Sequence, residues 1–123
     1  MSDYTLTENQ ERWLRELESG NRKQGRGTLN LKGAFCCIGL AAELFKTSSI
    51  IVEEGVNGST SYDGNSKCAP GYVIEALKLR SSRGEAKSWQ HFWSLVEMND
   101  KAGLSFSDIA ATVRANPEEY FHD

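Results

Sequence analysis

The stretch that most constrains the fold is residues 19–45, where Ser-Gly-Asn-Arg-Lys-Gln-Gly-Arg-Gly-Thr leads through Leu-Asn-Leu-Lys-Gly into Ala-Phe-Cys-Cys-Ile-Gly-Leu-Ala-Ala-Glu-Leu-Phe. From Phe35 to Phe45 nearly every residue is apolar or small. That pattern predicts a central helix buried on most of its surface, with Gly39 admitting a neighbour's backbone. The rest of the chain must then supply packing on several sides of it. Just ahead, Gly20, Gly25 and Gly27 forbid a continued helix and permit positive φ, so Asn21 to Thr28 is expected to be an ordered or semi-mobile loop. Four cations (Arg22, Lys23, Arg26, Lys32) and no acid fall between Gly20 and Ala42, although the net charge of the chain is −3. Positive potential is concentrated in one short stretch.

Several further elements are legible. Thr7 with Gln10 makes a capping box, and Trp13, Leu14 and Leu17 recur at helical spacing before Gly20, which predicts a helix from about Glu8 to Ser19. Thr28 to Leu31 suits a short strand. Ile50-Ile51-Val52 and Ser59 to Tyr62, joined through Gly55-Val56-Asn57-Gly58, read as a β-hairpin. Pro70 fits the first turn of a helix carrying Tyr72, Val73, Ile74 and Leu77, and Arg80 to Lys87 reads as a surface loop. Ser88 is expected to cap a helix with Trp89, Phe92, Trp93, Leu95 and Val96 that ends near Asn99. Ser105 and Asp108 begin a last helix whose Phe106, Ile109, Ala110 and Val113 share one face. The expectation is a compact α+β single domain over 1–123, mostly helical, with a small antiparallel β-hairpin or sheet around the central helix.

A chain of 123 residues buries one core without staples. No apolar run approaches the length of a membrane span and no signal-peptide pattern opens the chain, so a cytoplasmic location without membrane attachment is expected. Cys36 and Cys37 are adjacent and Cys68 is distant, which is no disulfide framework. A net negative charge argues against a general nucleic-acid coat protein while leaving room for a local anion site.

Trp13-Leu14 with Ser19-Gly20, Lys23-Gln24-Gly25-Arg26-Gly27 with Leu29, Phe35-Cys36-Cys37-Ile38-Gly39-Leu40, and Asn99-Asp100 with Phe106, Ile109 and Ala110 resemble a family of small phage-encoded proteins. Its members share a K-Q-G-x-G loop, a C-C-L-G segment and an L-N-D … F-x-x-I-A ending. Arg22 stands where that family often has an aromatic residue. The resemblance implies a setting more than a chemistry: an accessory protein of a phage or prophage in the cytoplasm of a bacterial host cell, where antagonists of host defence are common.

For the basic loop, glycines let backbone N–H groups converge on an anion while flanking Arg and Lys add charge-assisted bonds. Walker A spacing is absent, and a solvated loop is the competing reading. The candidate ligand-binding residues are Arg22, Lys23, Gln24, Gly25, Arg26, Gly27, Lys32 and Asp100. Asp100 either pairs an arginine of the loop or, with Asn99, makes turn bonds to its own backbone. Arg80, Arg83 and Lys87 form a second basic cluster.

Cys36 or Cys37 with His91 or His122 is a nucleophile candidate, set against a core role, and Cys-Cys lacks zinc-site spacing. No catalytic constellation, metal set or cofactor is assigned. Trp13, Trp89, Phe92 and Trp93 exceed what one helix face needs, which leaves an aromatic for a partner or ligand. The leading expectation is a non-enzymatic counter-defence protein that sequesters an anionic, nucleotide-type ligand, with homo-oligomerisation open. The alternative is a protein-protein inhibitor of a host defence effector or nuclease, and the third is a thiol-dependent enzyme.

Overall fold

A computed structural model describes residues 4–123. Helix α1 (Glu8–Ser19) begins at the Thr7–Gln10 capping box and stops at Gly20, whose φ of 74° is left-handed. Its buried face is Gln10, Trp13, Leu14 and Leu17, the i, i+3, i+4, i+7 stripe. Gln10 lies inside because its amide is bonded on both ends: Oε1 accepts from Thr7 N (2.8 Å), and Nε2 donates to Leu77 O (2.8 Å) and Tyr4 Oη (2.9 Å). The same helix is clamped from outside by Arg114, which donates bidentately to Glu11 (2.9 and 3.0 Å) and to Glu18 (2.7 and 3.0 Å). The guanidinium holds the Glu11 carboxyl below its usual range.

Three two-residue strands follow: β1 (Lys23–Gln24), β2 (Asn30–Leu31) and β3 (Ala34–Phe35). β3 lies in the middle, parallel to β1 and antiparallel to β2. The expected strand near Thr28 to Leu31 is therefore present. Part of the glycine-rich stretch is itself sheet, since Lys23 and Gln24 pair with Ala34 and Phe35. Helix α2 (Cys37–Phe45) follows directly, with Cys37 to Ala42 buried, and it packs on α1, on β3 and on two later helices. The hairpin β4 (Val52–Glu54) and β5 (Thr60–Tyr62) is antiparallel, and a Leu31–Ser59 bridge joins it to β2.

Helix α3 (Gly71–Leu77) starts after Pro70 as expected. The next segment corrects the sequence reading: Ser88 caps no helix, and residues 88–91 form turns, His91 N and Phe92 N donating to Ser88 O (2.9 and 3.1 Å). Helix α4 (Leu95–Asp100) starts six residues later at Ser94, whose hydroxyl accepts from Glu97 N while the Glu97 carboxylate accepts from Ser94 N. A full capping box at Ser94 outcompetes a lone serine at 88. Ser88 N and Oγ donate instead to the Glu119 carboxylate (2.7 and 3.2 Å).

The stretch from Arg80 to Lys87 is also more than a surface loop. Gly84 and Ala86 are buried, and Leu95 N donates to Gly84 O (2.9 Å). Helix α5 (Phe106–Ala115) carries the expected buried face, and a short α6 (Pro117–Tyr120) leads to Phe121, which bridges to Leu79. The architecture is α+β, with six helices among the described residues. None of them is long and apolar enough to cross a membrane.

Gly39 sets the closest approach in the core. A Cβ built there would fall 1.7 Å from Leu29 O, so α2 rests directly on the backbone entering β2. Because backbone cannot swing aside as a side chain can, Gly39→Ala is expected to cost about 3 kcal/mol or more in chemical denaturation. Gly71→Ala, whose added methyl meets nothing within 4 Å, should leave stability nearly unchanged.

Candidate functional site

The structure disperses much of the basic loop. Arg22 Nε donates to Glu16 Oε1 (3.1 Å) and its guanidinium lies 5.9 Å from the Phe35 ring centroid, so this cation is already engaged. Lys23 sits opposite Ala34, near the β2–β3 turn that holds Lys32 and Gly33. Lys32 turns towards the hairpin, its stem against Gly58 and its N–H donating to Gly58 O (3.1 Å). Arg26 lies beyond the far end of β1, past Gly25, whose N–H donates to Phe35 O (2.6 Å). Lys23, Arg26 and Lys32 are exposed, and none forms an ion pair among the described residues.

Gln24, Gly25, Gly27 and Asp100 do come together, around Asn99. The Asn99 side chain is fully buried at the C-terminal end of α4. Its Oδ1 accepts from Gln24 Nε2 (2.9 Å) and Cys37 N (3.2 Å), and its Nδ2 donates to Gly25 O (2.8 Å) and Asp100 Oδ1 (2.9 Å). A primary amide has two donors and two acceptor sites, so this one is saturated. Gln24 extends the network: Nε2 also donates to Leu104 O (2.9 Å), and Oε1 accepts from Phe106 N (3.1 Å), an orphan donor of the first turn of α5. Asp100 Oδ1 accepts from Gly27 N (3.0 Å) and lies within ion-pair distance of no arginine among the described residues. Gly25 is required by contact, since a Cβ there would lie 2.9 Å from Ala34 O. Gln24, Gly25 and Gly27 of the Lys-Gln-Gly-x-Gly motif, with Asn99 and Asp100, thus form one lock between the loop and three helices.

The two adjacent thiols belong to the core. Cys36 caps α2, its Sγ accepting from Gly39 N (3.2 Å), and burial pushes its pKa up to about 11. Cys37 is fully buried, donates to Leu95 O (3.5 Å), and its pKa is also raised by desolvation. A thiol held protonated and out of solvent is a poor nucleophile. In the second basic cluster Arg80 is engaged, donating to Glu118 O (2.9 Å) and Phe121 O (3.3 Å).

The exposed chemistry lies at the other end of α4. Trp89 and Trp93 are 66% and 50% exposed, and with Gln90, His91, Phe92 and Glu97 they line an open depression of about 240 Å³. The loop that presents them is tied at both ends: Ser88 to Glu119, and Trp93 O to the Tyr120 hydroxyl (2.9 Å). The indoles are therefore carried on an anchored support. The surplus of aromatics was the available sequence signal; the helix expected through Ser88 to Asn99 hid how many would face solvent.

Over residues 6–117 the chain matches the family described as a domain of unknown function (DUF8296), and it belongs to that family. No curated protein and no solved structure gives a significant match.

The saturated amide makes a direct test. Asn99→Asp keeps the shape but replaces two donors with an acceptor facing Gly25 O and Asp100 Oδ1. It is expected to cost about 2–4 kcal/mol and to lower Tm by about 10 °C in calorimetry.

Proposed function

We propose that this member of the family is a small non-catalytic binding protein that attaches to a partner protein through the exposed loop Trp89–Trp93. The observation that carries the reading is the pair of exposed indoles beside a depression on an anchored loop. Exposed tryptophans cost solubility, and they are among the residues that dominate binding energy where they fill a partner's surface. The resemblance to small phage-encoded proteins supplies the setting we infer: an accessory protein in a bacterial cytoplasm, with a host defence effector or nuclease as the partner it inhibits.

A second reading places an anionic ligand such as a nucleotide at the basic loop. It draws support from exposed Lys23 and Arg26 and from Thr28 Oγ1, which is buried without a hydrogen-bond partner. The engagement of Arg22 with Glu16 and Phe35 makes it the weaker reading. It requires nucleotide-sized extra mass in native mass spectrometry of the protein purified from its host cell, lost on denaturation. Bare protein counts against it.

For the first reading, tagged wild type and the Trp89→Ala/Trp93→Ala variant are compared in affinity purification, and the captured protein is then reconstituted from pure components. The double variant should keep the wild-type Tm, because both side chains are largely exposed, and should bind at least about 30-fold more weakly, a loss of roughly 2 kcal/mol or more. Equal binding by the two forms rules out this surface.

A further inference from the structure

The lining of the Trp89–Trp93 depression specifies the chemistry of its occupant more narrowly than exposure does. Three aromatic rings, Gln90, His91 and one carboxylate, that of Glu97, surround it, and neither lysine nor arginine is among the lining residues. Glu97 Oε1 accepts from Ser94 N (3.1 Å), the Ser94 side chain also bonds the carboxylate, and no ion pair to it is formed among the described residues. The capping bonds from Ser94 hold the Glu97 carboxyl below its usual range, so it is ionised at neutral pH. Arg83 and Lys101 lie near enough to favour that charge, yet neither forms an ion pair with it.

The chain's other aromatic rings sharpen the contrast. Arg12 lies 5.6 Å from the Phe45 ring centroid and Arg22 lies 5.9 Å from that of Phe35. Indole is a better cation platform than phenyl, but no cation of the described chain lies over Trp89 or Trp93. We propose that this depression takes a guanidinium group, an arginine side chain of the partner protein, stacked on an exposed indole and bonded to the Glu97 carboxylate. The assignment rests on the partner-binding reading above and deepens it by naming what the partner presents.

Other occupants fit the lining less well. An anion would face the Glu97 carboxylate. A purely apolar side chain would strip water from that carboxylate and return no hydrogen bond. An ammonium matches the charge, but a planar guanidinium can stack on a ring and donate in the plane at the same time.

The test uses the full chain and two blocked tripeptides, Ac-Gly-Arg-Gly-NH2 and its citrulline counterpart, which has nearly the same shape without the charge. Binding is followed by the indole N–H resonances of Trp89 and Trp93. The arginine peptide is expected to shift them saturably and to bind about fivefold or more tighter than the citrulline peptide. Glu97→Gln, whose amide oxygen still accepts from Ser94 N, should erase that preference with at most a small loss of Tm. Equal binding of the two peptides, no shift with either, or a preference that survives in Glu97→Gln would overturn the assignment. These outcomes are separable from failure of the partner-binding reading. A partner lost by the double tryptophan variant but bound equally by wild type and Glu97→Gln leaves the surface in place and removes the arginine.

Discussion

A primary amide buried away from water needs four partners, and Asn99 finds all four within the protein, on Gln24, Cys37, Gly25 and Asp100. Each bond does local work. The one to Cys37 N satisfies an orphan donor at the first turn of α2, and the one to Gly25 O fixes the chain as it leaves β1. Gln24, held by the same amide, satisfies Phe106 N at the start of α5. Two helix N-termini, a helix C-terminus and a glycine-rich loop are therefore positioned by two side-chain amides. A network of this kind stabilises strongly when complete and is costly when any member is missing, because every group in it has already given up its water.

Around that lock the packing is governed by how closely backbone approaches backbone. α2 lies against Leu29 through Gly39, and β1 lies against β3 through Gly25. The side chain of Gln24 and the backbone of Gly25 and Gly27 are engaged in the lock. Of the basic loop's cations, Arg22 turns to Glu16 and Phe35 and the stem of Lys32 lies along the hairpin turn, while Lys23 and Arg26 stay exposed.

What the sequence made legible follows from the range of the forces involved. α1, α2, α3 and α5 could be read because capping residues and apolar spacing are local, and the hairpin because its turn residues are local. The loop from Ser88 to Trp93 could not. Its apolar spacing suits a helix, and what prevents one is the capping box at Ser94 together with a bond from Ser88 to Glu119, thirty-one residues away. The glycine-rich basic loop reads from its sequence as a surface feature, whereas Gln24 reaches into the interior. The partners of Gln24 lie in α4, α5 and the turn between them, some eighty residues on, and nothing near Gln24 announces them. Cys36 and Cys37 were legible as core residues because apolar neighbours flank them on both sides.

Scaffold and surface consequently divide along α4. The helix has six residues and spans about 9 Å. At its C-terminal end Asn99 and Asp100 are consumed by the interior lock, and at its N-terminal end Ser94 and Glu97 begin the helix while Glu97 also faces the depression beside Trp89 and Trp93. The motif residues that carry the family resemblance fall largely on the first side. A short helix fixed at one end by a saturated amide is a rigid base, and a loop tied to that base and to Glu119 can hold two indoles towards solvent without collapsing onto them. On this reading the most recognisable residues build the platform, and the binding chemistry lies in the segment between the motifs.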